Sequence, residues 1–323
     1  MHLSTAYQQK DVNTLIDYNT KKKKKIFTSI KQNIFLYLLV LPGVLYFLLF
    51  KIIPMWGVLI SFQNYSPYTG LMHSEWVGLQ NFKELFANSD FVLIFRNTMA
   101  ISLLNLVFYF PVPIILSLML NEVTNRRFKN TIQSIVYLPH FLSWVIITGL
   151  TFVLFSQSNG LINNLLVSMG FEKYNFLTNP KVFWPILTFQ AIWKDAGWGT
   201  IIYLAALSGI DVQQYESARM DGASKIQQMW HITLPGLRNV IITLLILRIG
   251  HIMDVGFEQV FLMQNSAVSQ VSDVFETYVY RVGVQNGRFS YSTAVGVFKS
   301  AIGLILVIVT NNIAKKCGEE GVY

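Results

Sequence analysis

The sequence predicts an all-α integral membrane protein with six transmembrane helices and both termini in the cytoplasm. Three observations carry that prediction. Apolar residues make up 53% of the 323 and charged residues only 13%, with a mean hydropathy of +0.43, which is not the composition of a water-soluble domain. Six stretches, 34–62, 98–121, 132–155, 182–207, 236–256 and 293–313, are apolar over the length needed to cross a bilayer core, about 20 helical residues. The segments between them alternate in charge: one set holds 14 Lys and Arg, the other 6. The richer set (1–33, 122–131, 208–235 and 314–323) belongs inside by the positive-inside rule.

The chain therefore divides into a basic cytoplasmic arm (1–33), a six-span domain (34–313) with a cytoplasmic loop at 208–235, and a short cytoplasmic tail (314–323). The arm carries the run Lys21 to Lys25. No aromatic residues are interleaved with that run, so nucleic acid is not its expected partner; membrane lipid is. The apolar run after the arm is too long for the core of a cleaved signal peptide. Between the first two spans, the mixed pattern from Trp76 to Lys83 predicts a short amphipathic helix on the outer surface. In the second span Pro111 and Pro113 remove backbone donors and predict a kink.

Polar groups inside apolar spans are costly and point to a cavity, a partner or the interface. Asn105, Tyr109, Gln190, Lys194, Asp254 and Glu258 are such groups. Trp198 offers an aromatic face on which a sugar ring can stack. They are the candidate substrate-pathway residues, against the alternatives of snorkelling for Lys194, an outer-loop position for Glu258 and helix–helix bonding for Asn105.

The longest polar island is Tyr215 to Pro235. Asp211 with Gln214, and Ser224 with Gln227, have the spacing of capping boxes and predict two short helices. Gly222 lies between them, where a residue without a Cβ can take the left-handed turn. Pro235 marks the expected break before the next span. Ile226, Met229 and Trp230 form a narrow apolar stripe on the second helix.

What the chain lacks also narrows its function. No G-x-x-x-x-G-K-[ST] phosphate cradle and no G-x-S-x-G are present, and five histidines and one cysteine are scattered without zinc spacing. No catalytic residue, metal or cofactor is expected within the chain.

Glu216, Ala218, Asp221, Gly222, Ala223, Ile232, Leu234 and Pro235 resemble the cytoplasmic EAA loop of binding-protein-dependent ABC importer permeases. Its glycine follows the glutamate by six residues and its proline follows the glycine by thirteen, as here. Ser217 replaces the middle alanine, small for small. The stretch Trp76 to Lys83 and the neighbourhood Ile192 to Asp211 are similar to permeases of the sugar and oligosaccharide subgroup. The resemblance covers about 34–313 and implies the type I ABC importer fold in a bacterial cell membrane.

It also implies partners: a second homologous permease subunit, a cytoplasmic ATPase dimer that binds ATP and Mg, an extracellular solute-binding lipoprotein and a carbohydrate substrate. Glu216, Ala218, Asp221, Gly222, Ala223, Ile226, Met229, Trp230, Leu234 and Pro235 would be the ATPase-coupling set. Two alternatives stand beside this: the same machine carrying amino acids, peptides or polyols, and a stand-alone carrier or membrane scaffold.

Overall fold

The structure is a computed structural model that describes residues 32–319 and 321–322. The basic run of the arm lies outside the described residues. Two compact units divide the chain at Val58 and Leu59.

The described part of the first unit is one apolar helix. It belongs to a helical run, Ile34–Phe62, that is 29 residues long, and none of its residues is buried as far as Val58. An all-round apolar helix with no buried face is suited to lipid, where every backbone polar group is bonded within the helix itself.

The second unit begins with a small two-stranded motif. Gln63–Asn64 pair antiparallel with Glu75–Trp76, and the Asn81 side chain donates to the carbonyls of Ser61 at 2.9 Å and Gln63 at 3.1 Å. The surface helix predicted near Trp76 to Lys83 starts later, at Gln80, and ends at Ala87; Trp76 itself stands in the strand. Leu85 on its inner face is fully buried. An ion pair from Glu84 to Arg288, at 2.5 Å, ties this helix to the start of the last span. The Glu84 carboxylate, by its hydrogen bond, raises the pKa of the Arg288 guanidinium above its ordinary value.

A helix stands at each of the six predicted stretches. Three are long and apolar enough to cross a membrane, Ile34–Phe62, Ser89–Glu122 and Phe289–Lys316, and up to five if each of two bent pairs is one span. The Pro180–Leu207 helix has 28 residues and carries Lys181, Gln190, Lys194 and Asp195; it is not among the helices apolar enough. Asn179 accepts from Lys181 N at its start, an N-cap with proline at the first helical position.

Two stretches differ from the straight spans that the sequence predicts. The third is Arg126–Phe141 followed by Trp144–Phe155, bent by 100°. Pro139 has no donor for the turn before the break, and Ser143 restarts the helix by accepting from Ile146 N. The other is the fifth, where Lys225–Gly236 is followed by Arg238–Gly250 with a bend of 56°. The break falls at Leu237, so Pro235 does not end the helix as expected. It sits in the first turn of Leu234–Gly236, where a missing N–H is tolerated. Ser89–Glu122 runs past Pro111 and Pro113 as one span, and a π-helical turn at Asn105–Tyr109 precedes the prolines.

Packing between these helices forms three buried clusters. One joins Ile101 to Phe183, Ile186 and Leu187 and to Val260 and Met263. Another gathers Leu85, Ile94, Phe275 and Tyr291. The smallest, Tyr203, Leu207 and Leu237, lies where the Pro180–Leu207 helix meets the start of Arg238–Gly250. It anchors both ends of the polar loop between them.

Candidate functional site: a polar helix pair and a chamber between spans

The polar island folds as two short helices, Val212–Met220 and Lys225–Gly236. Gly222 takes φ +78°, the left-handed turn that a glycine adopts without steric cost. Ala223 N bonds to Ala218 O at 2.9 Å and Gly222 N to Arg219 O at 3.1 Å, which is a Schellman closure of the first helix. Ser224 and Gln227 make the full capping box, with Ser224 N to Gln227 Oε1 at 2.8 Å and Gln227 N to Ser224 Oγ at 3.4 Å.

Asp211 and Gln214 make only half of theirs. The Asp211 carboxylate accepts from Gln213 N at 2.9 Å, and no return bond from the Gln214 side chain is present among the described residues.

One bond joins the helices, Tyr215 OH to Thr233 Oγ1 at 3.0 Å, and another ties the second helix to the turn, Gln228 Nε2 to Ala223 O at 2.8 Å. The outer face is apolar and free of contacts that would bury it. Met220 is 89% exposed, Ile226 67% and Trp230 59%. Glu216, Asp221, Gly222 and Pro235 are exposed, while Ala218, Ala223, Met229 and Leu234 are half-buried. Large side chains left in water on a well-capped scaffold mark a docking face. The coupling set of the sequence thus falls on one compact element, with Met220 added to it.

The substrate-pathway set does not come together as one site. Tyr109 and Trp198 line a chamber of about 530 Å³. Asn105 is buried in the π-helical turn, and its Oδ1 has no partner among the described residues. Gln190 is buried in a different network, donating to Thr151 Oγ1 at 2.7 Å and accepting from Gln259 Nε2 at 2.9 Å. Lys194 is buried and donates to the carbonyls of His140 and Leu142 at 2.8 and 2.6 Å, so its ammonium caps the carbonyl end of the first helix half at the 100° bend. Asp254 is exposed and bonds to Lys299 at 2.5 Å; Glu258 is exposed.

Four elements build the chamber, and in three of them the helical period selects the lining. Tyr109, Phe110 and Pro113 come from Ser89–Glu122; Asp195, Trp198, Gly199 and Ile202 from Pro180–Leu207; Leu244, Leu247 and Arg248, continued by His251, from Arg238–Gly250. Spacings of i, i+3, i+4 and i+7 in the second and third sets, and of i, i+1 and i+4 in the first, put each set on one side of its helix. His140 enters from the bend.

Close approach of these elements depends on glycine. A Cβ on Gly197 would lie 2.1 Å from Val136 O, and one on Gly199 3.1 Å from the Pro113 ring. His140 Nδ1 is 2.9 Å from Asp195 Oδ1, and the imidazole stacks on Trp198 with centroids 4.5 Å apart and planes 6° apart. The Arg248 guanidinium stands 5.6 Å from the Tyr109 ring centroid. Sequence reasoning missed His140, Asp195, Arg248 and His251. The spacing 244, 247, 248, 251 was available to it; the meeting of His140 with Asp195 was not.

The family described as "Binding-protein-dependent transport system inner membrane component" matches residues 109–318. The chain belongs to this family. Its match takes in the chamber, the bend and the polar helix pair, but begins after the first apolar helix. The same permease architecture extends further toward the N-terminus in individual relatives. The polygalacturonan/rhamnogalacturonan transport system permease protein YteP of Bacillus subtilis (strain 168) is 51% identical over 321 residues, covering 99% of this chain and 100% of that protein. Protein LplB of the same organism is 52% identical over 295 residues, or 91% and 93% of the two chains. Among solved structures, a chain of a bacterial alginate ABC transporter, in complex with an alginate pentasaccharide-bound periplasmic protein, superposes with a TM-score of 0.84 at 39% identity, covering 91% of this chain and 99% of that one. This inner membrane component is a transport permease; its family is not one of catalytic enzymes.

Proposed function

We propose that the chain is the permease subunit of an ATP-driven, binding-protein-dependent importer of oligosaccharides, with six spans and both termini cytoplasmic. The geometry of the polar helix pair is what carries this reading. An exposed apolar face held by a glycine turn, a full capping box, one cross-helix bond and one helix-to-turn bond is a rigid surface that can take a push. A loop of this build between spans has no use in a scaffold that transmits no force.

In this mechanism a solute-binding lipoprotein delivers the sugar to the outer face. Closure of a cytoplasmic ATPase dimer on ATP and Mg drives the helix pair around Gly222, and the two permeases tip from inward-open to outward-open. Hydrolysis resets them. Each step is alternating access driven by a ligand that favours one state. The carbohydrate assignment draws on the relatives' substrates and on the aromatic and polar lining of the chamber.

Co-purification tests it. The tagged chain, drawn from native membranes, brings down an ATPase and a second permease, and the eluate hydrolyses ATP faster when its binding protein and sugar are added. Isolation of the chain alone, with no nucleotide hydrolysis, sinks the importer reading and favours a stand-alone carrier.

A further inference from the structure

The chamber holds a cation, Arg248, that no acceptor among the described residues bonds. Arg248 lies ten residues beyond Arg238, about 15 Å along the helix at 1.5 Å per residue. It sits in the last turn of Arg238–Gly250, inside the 236–256 stretch whose apolar length predicts a membrane crossing. Other cations within neighbouring spans are engaged by protein acceptors. Lys194 is held by two carbonyls. Lys299 bridges Asp254 at 2.5 Å and Glu276 at 2.7 Å. Arg248 has no hydrogen bond or ion pair among the described residues and meets only the face of Tyr109.

A guanidinium within such a stretch is expensive to keep, and its presence without an anion calls for one supplied from outside the chain. Asp195 lines the same chamber, but its Oδ1 is turned to His140 Nδ1 at 2.9 Å and it makes no ion pair with Arg248 among the described residues. The His140–Asp195 pairing also locks the imidazole against Trp198, so the indole is fixed in orientation. Trp198 remains 45% exposed and lines the chamber together with Arg248.

We propose that this chamber is a subsite for an acidic sugar residue: Arg248 takes the carboxylate of a uronate, and Trp198 receives the apolar face of its ring. The planar guanidinium matches a carboxylate through two parallel N–H···O bonds, which a neutral sugar's primary alcohol cannot reproduce. The His140–Asp195 pair is a positioning element that holds Trp198. A cavity of about 530 Å³ is of the size that takes small ligands. This inference rests on the carbohydrate-import reading.

Its test uses the assembled importer, with its binding protein, in proteoliposomes. Uptake is compared for a pool of short oligogalacturonides and for the same pool after its carboxyl groups are reduced to primary alcohols. The wild-type chain is expected to prefer the acidic pool. Arg248→Gln is expected to lower acidic uptake about tenfold or more, the loss of a charge-assisted pair, and to leave uptake of the reduced pool unchanged. Arg248→Lys, which keeps the charge but not the fork, is expected to fall between.

Co-purification of each variant with the ATPase checks that it assembles. Affinity of the binding protein for both pools, measured separately, isolates the permease's share of the preference. Equal loss of both pools in Arg248→Gln, or no loss of either, overturns the uronate subsite and leaves the carbohydrate reading standing. Uptake of neither pool by the wild-type importer overturns both.

Discussion

The polar helix pair and the chamber are built by opposite means. The pair is local: its turn, caps and cross-links join residues within the short stretch from Tyr215 to Thr233, and its working surface faces outward. The chamber is non-local: His140 meets Asp195, and Tyr109 meets Arg248, across separate helices. Backbone conformation decides the first, close packing of side chains the second. The two should therefore fail differently. Damage to the pair should spare the fold and stop coupling, whereas damage to the helix contacts around the chamber should loosen the fold itself.

Gly222→Asp is the sharpest way to break that contrast. An L-residue in the left-handed region costs about 1–2 kcal/mol, and the new carboxylate projects from an exposed docking face. Uptake is expected to fall more than tenfold while the amount of chain inserted in the membrane stays as in wild type. Near-normal uptake by the variant removes the pair from the coupling path.

Gly197→Ala probes the other side. Its Cβ would meet Val136 O at 2.1 Å, a backbone atom that cannot swing away, and overpacking of this kind costs about 1–3 kcal/mol. A lower melting temperature of the detergent-solubilised protein is expected, with uptake falling in parallel. An unchanged melting temperature means that the helices around the chamber have slack, and the contrast between the two regions weakens.

Ser224→Ala should show a smaller effect. Losing one cap is worth about 1 kcal/mol, and because Gly222 still ends the first helix, uptake is expected to drop only severalfold with no change in global stability. Calorimetry and uptake on the same preparation check both. At the bottom of the scale, Lys225→Ala removes an exposed ion pair to Glu122 at 3.2 Å. Such pairs contribute about 0–1 kcal/mol, so uptake within error of wild type is expected. A large loss there would place Lys225 in contact with a partner.

How much could be read beforehand follows the same division. The apolar stretches located helices at every predicted stretch because length and hydropathy are properties of contiguous residues. Gly222's positive φ and the Ser224–Gln227 box were legible because each is written in residues three or four apart. The 100° bend at residues 142–143 was not, since an apolar run with a proline reads equally well as a kinked span. Lys194 illustrates the limit best: its sequence position suggests a snorkelling or substrate-facing charge, and the fold spends it on the carbonyls freed by that bend. Gln190 and Asn105 likewise went to internal positions, each set by which helix happens to lie opposite.

By itself, then, the sequence determined that this is a helical membrane protein, where its helices lie and which short loop folds as a polar helix pair with an exposed apolar stripe. Those properties depend on composition, periodicity and turn chemistry, all of which act over a few residues. Only the tertiary structure decided that Arg248 would have no bonded acceptor among the described residues, that Asp195 Oδ1 would face His140 and that Trp198 would stack beside them. Pairings between distant helices depend on glycine-permitted close approach and on the angle of a broken span, and neither leaves a periodic trace along the chain.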